Sequence, residues 1–599
     1  MYYYVRYTND IHNYEMKNIE IVRIFREISY LIQIAENDPN TIYKIRAYEK
    51  AADVIENVSM DLEEIYLENG IAGLRKIPAV GSAISLKIEE FIKSHKIAYH
   101  EELRKKIPIK ISEFSNMRGI GPKTIKILYE KLKITTISEL EKAALEGRIA
   151  KLKGFSKMKE ENILKTIQLS KKNKSRYLLG DIYPLIKKIE SRLTEEDSVI
   201  HCAIVGSFRR MKETIGDIDI LVSTEEPEKV VNFFVNMPEV EEIRGRGRAK
   251  AFVELRNGIG VDLLVVPEES FGSASQYFTG NKDHNISLRN LAISKGFHLN
   301  EWGLFTKKKK KVAGINEKEI YEILDLQYIP PELREDCGEI EFFSKKEKEK
   351  LALIEYGDLK GDLHTHTDST DGTMSIKDMA LQARKKFRLD YIAITDHTRS
   401  LRLANGLNEN QLLAQINKIQ ELNDVFKEYS TDTRFRILSS AEVNILRDGT
   451  LDIPNNILDK LDIVGAAIHS NFSLSKDIQS ERLVKAAKNP SVDILCHPTG
   501  RLIHKREGYS IDIEKIIDIA YETRTVLEIN SNYNRLDLKD EHIRLAVQNG
   551  TKLAINSDAH HPVHFAYLLF GIGQARRGWA KKTDVINTLK VDSLLKELK

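Results

Sequence analysis

Residues 204–221 read IVGSFRRMKETIGDIDIL. The stretch begins and ends in short apolar, β-branched runs, the pattern of buried strands. Between them Gly206 and Ser207, close to Arg209 and Arg210, make a small basic turn suited to phosphate. Asp217 and Asp219 stand two apart in a strand and therefore project from one face. Two carboxylates on one face are costly unless a cation lies between them. Further along, residues 261–267 (VDLLVVP) put Asp262 in a second strand with apolar neighbours on both sides. Three convergent carboxylates cradle two divalent ions, which activate an attacking 3′-hydroxyl and stabilise a leaving pyrophosphate. Magnesium suits such a site because it prefers oxygen and shares its ligands with substrate phosphates. A lone D-x-D is most often a solvated strand end; the nearby GSFRR removes that explanation.

On the N-terminal side the pattern is helical. From about Asn18 to Ser175 apolar residues recur at the helical period, as where Ile88, Phe91 and Ile92 share a face with Ile84. Two segments there, KIPAVGSAISLKIEEF (76–91) and MRGIGPKTIKIL (117–128), put small residues in a tight turn before a helix. Glycine permits the turn, and the bare helix N-terminus offers N–H groups to phosphate. Gly119 and Gly121, with Lys123 following, make the second copy specific. The first has Gly81 but carries Ala79 where glycine is usual. A third candidate at 151–164 is weaker, with Ser156 in place of a glycine. One such turn alone would be an ordinary αα-turn; the pair resembles helix-hairpin-helix elements, which grip DNA through its backbone without reading sequence.

On the C-terminal side, beyond a charged bridge at 340–358, apolar runs such as YIAIT, DIVGAAI, VDILC, TVLEI and TKLAIN alternate with helical stretches from Gly361 onward. That alternation indicates parallel β/α architecture with active residues where strands end. Nearly every run closes on a metal-ligand type: His364 and His366, then Asp371, His397, Glu442, His469, His497, Asp558 and His560. Mixed imidazole and carboxylate donors suit zinc, manganese or iron, and a metal-acidified water attacks phosphate esters. One histidine alone would be structural; this ordered set is too extensive for that.

The 599 residues exceed what one core can hold, so several domains are expected. The net charge of +3 argues neither for nor against nucleic acid. Local clusters matter more: the run Lys307 to Lys311, and SKKNKSR at 170–176, fit either solvated loops or phosphate contacts. Three cysteines, far apart and odd in number, fit a reducing cytosol rather than a disulfide framework. No apolar run approaches membrane-spanning length, and the start does not read as a signal peptide. The residues before Met16 fit no element; they read as a frayed tail or as preceding the true start.

With GSFRR…GDIDIL, VDLLVVP, QYFTGNKDHNISLR (276–289) and GFHLNEWGLF (296–305) in this order, the chain resembles the family X DNA polymerases from about Asn18 to Ile340. The resemblance implies two Mg2+ (or Mn2+) held by Asp217 and Asp219, with Asp262 helping to activate the primer hydroxyl. It implies that Ser207, Arg210, Gly216 and the Gly206 turn meet the incoming triphosphate. Tyr277, Phe278 and Gly280 would shape the sugar pocket, Asn285 would touch the base, and Arg289 would lie near the template. Leu264 departs from the family, which often has arginine there. Lys87 matches the nucleophile of members with deoxyribose-phosphate lyase activity, and Lys44 and Tyr48 match supporting positions; Ala83 replaces a frequent phosphate-binding lysine.

The region from about Gly361 to Pro562 resembles the PHP domain found behind such polymerases in bacteria and archaea. All ligand types of its trinuclear site are present, for up to three Mn2+, Zn2+ or Fe ions. The resemblance implies 3′–5′ exonuclease and 3′-phosphatase activity and extends to abasic endonuclease activity. Asn444 stands where aspartate is common and is not itself read as a ligand, and Arg501, Lys505 and Arg506 fit either a phosphate contact or an exposed loop. The fold class expected is multidomain. All-α helix-hairpin-helix domains come first, then an α+β nucleotidyltransferase palm and thumb, then a C-terminal β/α barrel of distorted TIM-like form. Boundaries are expected at 1–17 (tail), 18–105 (lyase-like), 106–175 (fingers-like), 176–267 (palm), 268–340 (thumb-like), 341–358 (linker) and 359–599 (PHP). The partners expected are gapped or nicked DNA and deoxynucleoside triphosphates, with no membrane, for a cytoplasmic monomer that fills short gaps in DNA repair. The competing reading is a PHP nuclease whose polymerase half serves mainly to bind DNA.

Overall fold

The computed structural model describes residues 21–35, 41–56, 62–77, 79–94, 96–109, 111–114, 121–152, 154–161, 163–164, 167, 176–344, 351–428 and 435–598. They form two compact units, one within residues 9–175 and the other Arg176–Lys599.

The first unit is helical among its described residues. Phe25, Ile28, Leu31, Ile55, Leu103, Phe114 and Leu128 share one core. On the helix Ser82–Ser94, Ile84, Ile88 and Phe91 are buried, the face that the apolar period marks. The turn before it is built on Ala79, which has φ +63°; the hairpin keeps its left-handed residue although alanine replaces glycine. That substitution costs roughly 1–2 kcal/mol. Helix Pro122–Leu132 starts at Gly121 with proline in its first turn, where the missing N–H costs nothing. Gly119 and the Lys123 side chain lie outside the described residues.

In the second unit a five-stranded sheet runs in the order His201–Ile204, Ile218–Ser223, Gly260–Val266, Lys250–Leu255, Val240–Arg246. Three of these lie on apolar runs quoted from the sequence. The fifth, VEEIRGR, lies at the sheet's edge; it pairs on one side only and keeps polar residues there, so it has no apolar alternation to read. Only the Ile218–Ser223 and Gly260–Val266 pair is parallel, and this sets Asp219 directly beside Asp262. Beyond the sheet, a three-stranded antiparallel sheet is made of Phe297–Asn300, Gly303–Thr306 and Lys311–Ala313. The lysine run forms its last turn. Lys307 to Lys310 are exposed, whereas Lys311 tucks in and donates to Ser270 Oγ at 3.0 Å.

Behind the phosphate turn lies a buried ion network. Arg209 Nη2 reaches Glu317 Oε2 at 2.9 Å, and the fully buried Arg334 reaches Glu317 Oε1 at 2.6 Å. Burial opposes the Glu317 charge, but Arg334 and Arg209 outweigh it and hold the carboxyl down at about 2. Arg209 is thereby committed to fastening the helix Glu317–Ile323 against the turn, and Arg210 is left for the cleft.

The C-terminal region is a seven-stranded, all-parallel sheet in sequential order. Its strands are Gly361–Thr365, Tyr391–Ile394, Arg436–Asn444, Ile463–Ala467, Ile494–Leu495, Val526–Asn530 and Leu553–Asn556. A parallel bridge between Thr365 and Ala559, with His366 N–H donating to Ala559 O at 2.8 Å, brings the last strand back to the first. The sheet is thus a nearly closed barrel with helices between its strands. Residues 351–358 pack on this region: Ile354 is fully buried, and its N–H donates to Ala580 O at 3.0 Å.

The barrel region and the region of the five-stranded sheet share packed side chains. Tyr533 lies so close to Gly180 that a Cβ there would come within 2.1 Å of its ring. Tyr183 stacks on Phe208 and meets Phe570 edge-on, with centroids 5.1 and 5.5 Å apart. Met211 packs on Gly573. No described helix is long and apolar enough to cross a membrane.

Candidate functional site

Two centres emerge, each built where strands end. The first surrounds Asp217, Asp219 and Asp262. Gly206 opens the phosphate turn at φ +63°, and a Cβ there would fall 2.2 Å from Asp219 Oδ2. Glycine is required both for that backbone and for the carboxylate pressed against it. Val205 N–H donates to Asp219 O at 2.9 Å, locking the turn to the strand. Burial, and then the charges of Asp217 and Asp262, push the Asp219 carboxyl up to about 7. Burial and Asp217 raise Asp262 to about 6. Side chains that repel one another this strongly are the donor set that divalent ions offset, so the residues present fit two such ions.

This crowding has a measurable consequence. In protein stripped of divalent ions, conformational stability should fall as pH rises from about 4 to about 7. Both groups titrate above the ordinary 3.8 in the folded chain. The folded state therefore binds more protons than the unfolded state in that window, and stability is lost as pH climbs through the folded values. Denaturant midpoints measured across pH, with and without saturating Mg2+, check this. Asp219→Asn should flatten the metal-free slope; an equally steep slope in the variant overturns the assignment.

A cleft of about 900 Å3 opens beside the triad. Gly206, Ser207, Arg210, Asp217 and Asp219 line one wall. Tyr277, Phe278, Gly280, Asn285 and Arg289 line another. Gly216 is not among the lining residues, and Asp262 adjoins them through its register with Asp219. The Arg210 guanidinium donates to Glu335 Oε1 at 3.0 Å and to the carbonyl of Thr279, next to the Gly280 turn. Asn285 is committed to the helix beneath: its Nδ2 donates to Tyr277 O at 2.6 Å, and its Oδ1 accepts from Gln276 at 2.8 Å. Leu264, where the resembled family often has arginine, joins an apolar cluster with Phe271 and Phe278.

The second centre occupies the C-terminal mouth of the barrel. All the expected ligands meet there in overlapping groups whose donor atoms lie within 4.8 Å of one another: His366, Asp371, His397 and His560; His364, His497 and Asp558; His397, Glu442 and His469. Glu442 is the hub, 2.8 Å from His397 Nδ1, 2.8 Å from His497 Nε2 and 3.2 Å from His469 Nε2. His364 Nε2, both ring nitrogens of His366 and His497 Nδ1 are buried without a hydrogen-bond partner in the described structure. Unsatisfied buried imidazole nitrogens facing carboxylates fit metal ions. Burial, with the neighbouring His560 and His397, lowers His366 to about 4, which keeps it neutral and ready to bind.

Two of the residues that orient these ligands, Glu528 and Asp396, escaped the sequence reading. Glu528, in the sixth barrel strand, accepts from His364 Nδ1 at 2.7 Å and from His497 N–H at 2.6 Å. Asp396 takes Thr367 N–H, the Thr370 hydroxyl and Gln415, fixing the loop that carries Asp371. Asn444 accepts from His469 Nδ1 at 2.8 Å, so the asparagine orients a ligand rather than binding metal. A buried carboxylate inside an apolar run gives no periodic signal. In the loop read as a phosphate receiver, Arg501 instead pairs with Glu213 at 2.7 Å, and the Arg506 guanidinium lies over Phe472 at 4.4 Å.

In the helical unit, Lys87 Nζ lies 5.1 Å from the centroid of the Tyr99 ring, and Tyr99 stacks with the buried Tyr48. Lys44 is exposed one turn before Tyr48, and Gly81 is exposed at the hairpin.

Comparison with known proteins follows the same division. Family models match as a helix-hairpin-helix domain at residues 16–97, a SAM-like helix-hairpin-helix tandem at 111–168, a DNA polymerase beta palm at 181–243 and a DNA polymerase beta thumb at 274–335. The DNA polymerase/3′-5′ exonuclease PolX of Bacillus subtilis (strain 168) is 35% identical over 575 residues, covering 96% of this chain and 97% of that protein. A probable phosphatase of Thermoanaerobacter sp. (strain X514) is 35% identical over 214 residues, 33% of this chain and 78% of its own length. Rat DNA polymerase lambda is 25% identical over 43% of this chain and 48% of its own. An alignment running nearly end to end, through the triad and the barrel alike, means that the chain belongs to the family X DNA polymerases, in the PolX form that carries a C-terminal PHP domain.

Proposed function

We propose that this chain trims a blocked 3′ end at the barrel centre and then fills a short gap at the carboxylate triad. It is a DNA polymerase with 3′–5′ exonuclease activity, acts on DNA with nucleotides as substrates, and depends on divalent metal. The observation that carries the reading is the pairing of Asp219 with Asp262 beside the Gly206 turn, in one cleft with Arg210 and Tyr277.

In this reading Asp217 and Asp219 hold two ions, Mg2+ by preference, which supply charge neutralisation for the leaving pyrophosphate. Asp262 receives the proton of the attacking 3′-hydroxyl. Ser207 and Arg210 hold the triphosphate, while Tyr277, Phe278 and Gly280 enclose the sugar. Arg289 and the Gly121 hairpin hold the DNA backbone. At the barrel, the ions held by Glu442 and its neighbours, Mn2+ by preference with Zn2+ or Fe as alternatives, supply Lewis acidity toward a terminal phosphate ester. The same centre would remove 3′-phosphates and cut at abasic sites. Lys87, partly shielded beside Tyr99, would serve as a lyase nucleophile. The natural substrate would be gapped or nicked DNA, bound by a monomer, with domains divided near residues 105, 175, 267, 340 and 358.

Gapped DNA ending in a 3′-phosphate tests the order of steps. Wild type should release phosphate and then extend. Asp217→Ala should release phosphate and stop, and His366→Ala should extend only ends that are already hydroxylated. Phosphate release by His366→Ala at the wild-type rate would overturn the division of labour.

A further inference from the structure

The nucleotide cleft is not lined by the polymerase-like residues alone. Lys539, Asp540, Gln574 and Arg577, all from the barrel region, close one side of it. Arg577 ends the helix Leu568–Arg577 and is almost fully buried, with a side-chain exposure of 3%. Its Nε donates to Asp540 Oδ2 at 2.9 Å, and its Nη2 reaches the same oxygen. Its Nη1 donates to the backbone carbonyl of Arg210 at 2.9 Å and to Glu335 Oε1 at 3.0 Å. Glu335 in turn accepts from the Arg210 guanidinium and from Asn281 Nδ2, and lies 3.4 Å from Lys212 Nζ. One guanidinium thus braces the phosphate turn by its backbone and, through Glu335, fixes both the Arg210 side chain and the Gly280 turn.

We propose that Arg577 is a positioning residue for nucleotide addition, by which the PHP domain sets the geometry of the triphosphate pocket. The inference rests on the assignment of Arg210 to the triphosphate. Asp540 aims the guanidinium, and its planar fork spans a carboxylate, a backbone carbonyl and a second carboxylate at once. Lysine keeps the charge but cannot make that set of bonds. Misplacing a substrate-holding group by about 1 Å costs on the order of a hundredfold in rate, so a brace of this kind acts on nucleotide capture through Arg210.

The test is steady-state gap filling on DNA with a 3′-hydroxyl, comparing wild type, Arg577→Ala, Arg577→Lys and Arg210→Ala. Mn2+-dependent 3′–5′ digestion and thermal unfolding are followed on the same samples. Arg577→Ala should raise KM for the incoming nucleotide at least about tenfold with a smaller fall in kcat, while digestion stays within about twofold. Arg577→Lys should lie between the two and serves alone if the alanine variant does not fold. An unchanged nucleotide KM in a folded Arg577 variant overturns the inference, as does an equal loss of both activities with a lowered unfolding temperature. If Arg210→Ala itself leaves nucleotide KM unchanged, the underlying pocket assignment fails instead.

Discussion

Asp219→Asn should lower nucleotide addition by about a thousandfold or more while leaving 3′–5′ digestion within about twofold. Asparagine keeps the shape that fits against Gly206 and the backbone bond to Val205, so the turn should survive. What is lost is the charge at the middle of the triad. Asp219 faces Asp262 across the parallel pair, and Asp217, in the bend just before that strand, adds its charge. The amide removes a charge that burial, Asp217 and Asp262 all disfavour at position 219, so the variant should be at least as stable as wild type in metal-free buffer. An inactive but fully stable enzyme is the signature of a site strained for function. Single-turnover primer extension measures the first quantity and exonuclease digestion of the same primer the second. Retention of more than a tenth of the extension rate would remove Asp219 from the proposed chemistry.

Glu442→Gln should abolish 3′–5′ digestion, again by about a thousandfold or more, and leave extension of hydroxylated primers intact. The carboxylate faces His397, His497 and His469 from one position and lies 3.6 Å from His364. Burial disfavours its charge, yet His469, His397 and His364 hold it well below the ordinary carboxylate range. Glutamine preserves volume but removes the anion common to these imidazoles. Bound metal per chain should therefore fall along with activity. Elemental analysis of purified wild type and variant, beside the digestion assay, checks both. Full metal content with lost activity would assign Glu442 to the chemistry rather than to metal retention.

The chemistry of this chain was legible because it is carried by short, ordered motifs whose spacing follows strand geometry. Asp217 and Asp219 stand two apart at the start of a strand, and the barrel ligands follow successive strand runs. What was not legible lies in residues whose role depends on distant partners. Glu528 reads as one polar residue within TVLEIN, yet it orients His364 and His497. Arg577 and Glu335 have no local signature, since their meaning arises only where two domains meet. Arg501 carried the opposite lesson: a basic loop beside a ligand histidine suggested phosphate, but Glu213 from the palm claims it. Ala79 shows that a motif can lose its expected residue and keep its backbone.

The absence of a side chain at Gly180 and Gly573, against Tyr533 and Met211, has a consequence for descent as well as for packing. A tyrosine and a methionine seated on bare backbone make a joint that tolerates no bulk on the opposing surface. Gene fusions or exchanges that brought in a foreign nuclease half would collide there unless both faces changed together. The two catalytic halves should therefore be inherited as one piece, and lineages that shed the nuclease half should show Gly180 released to other residues.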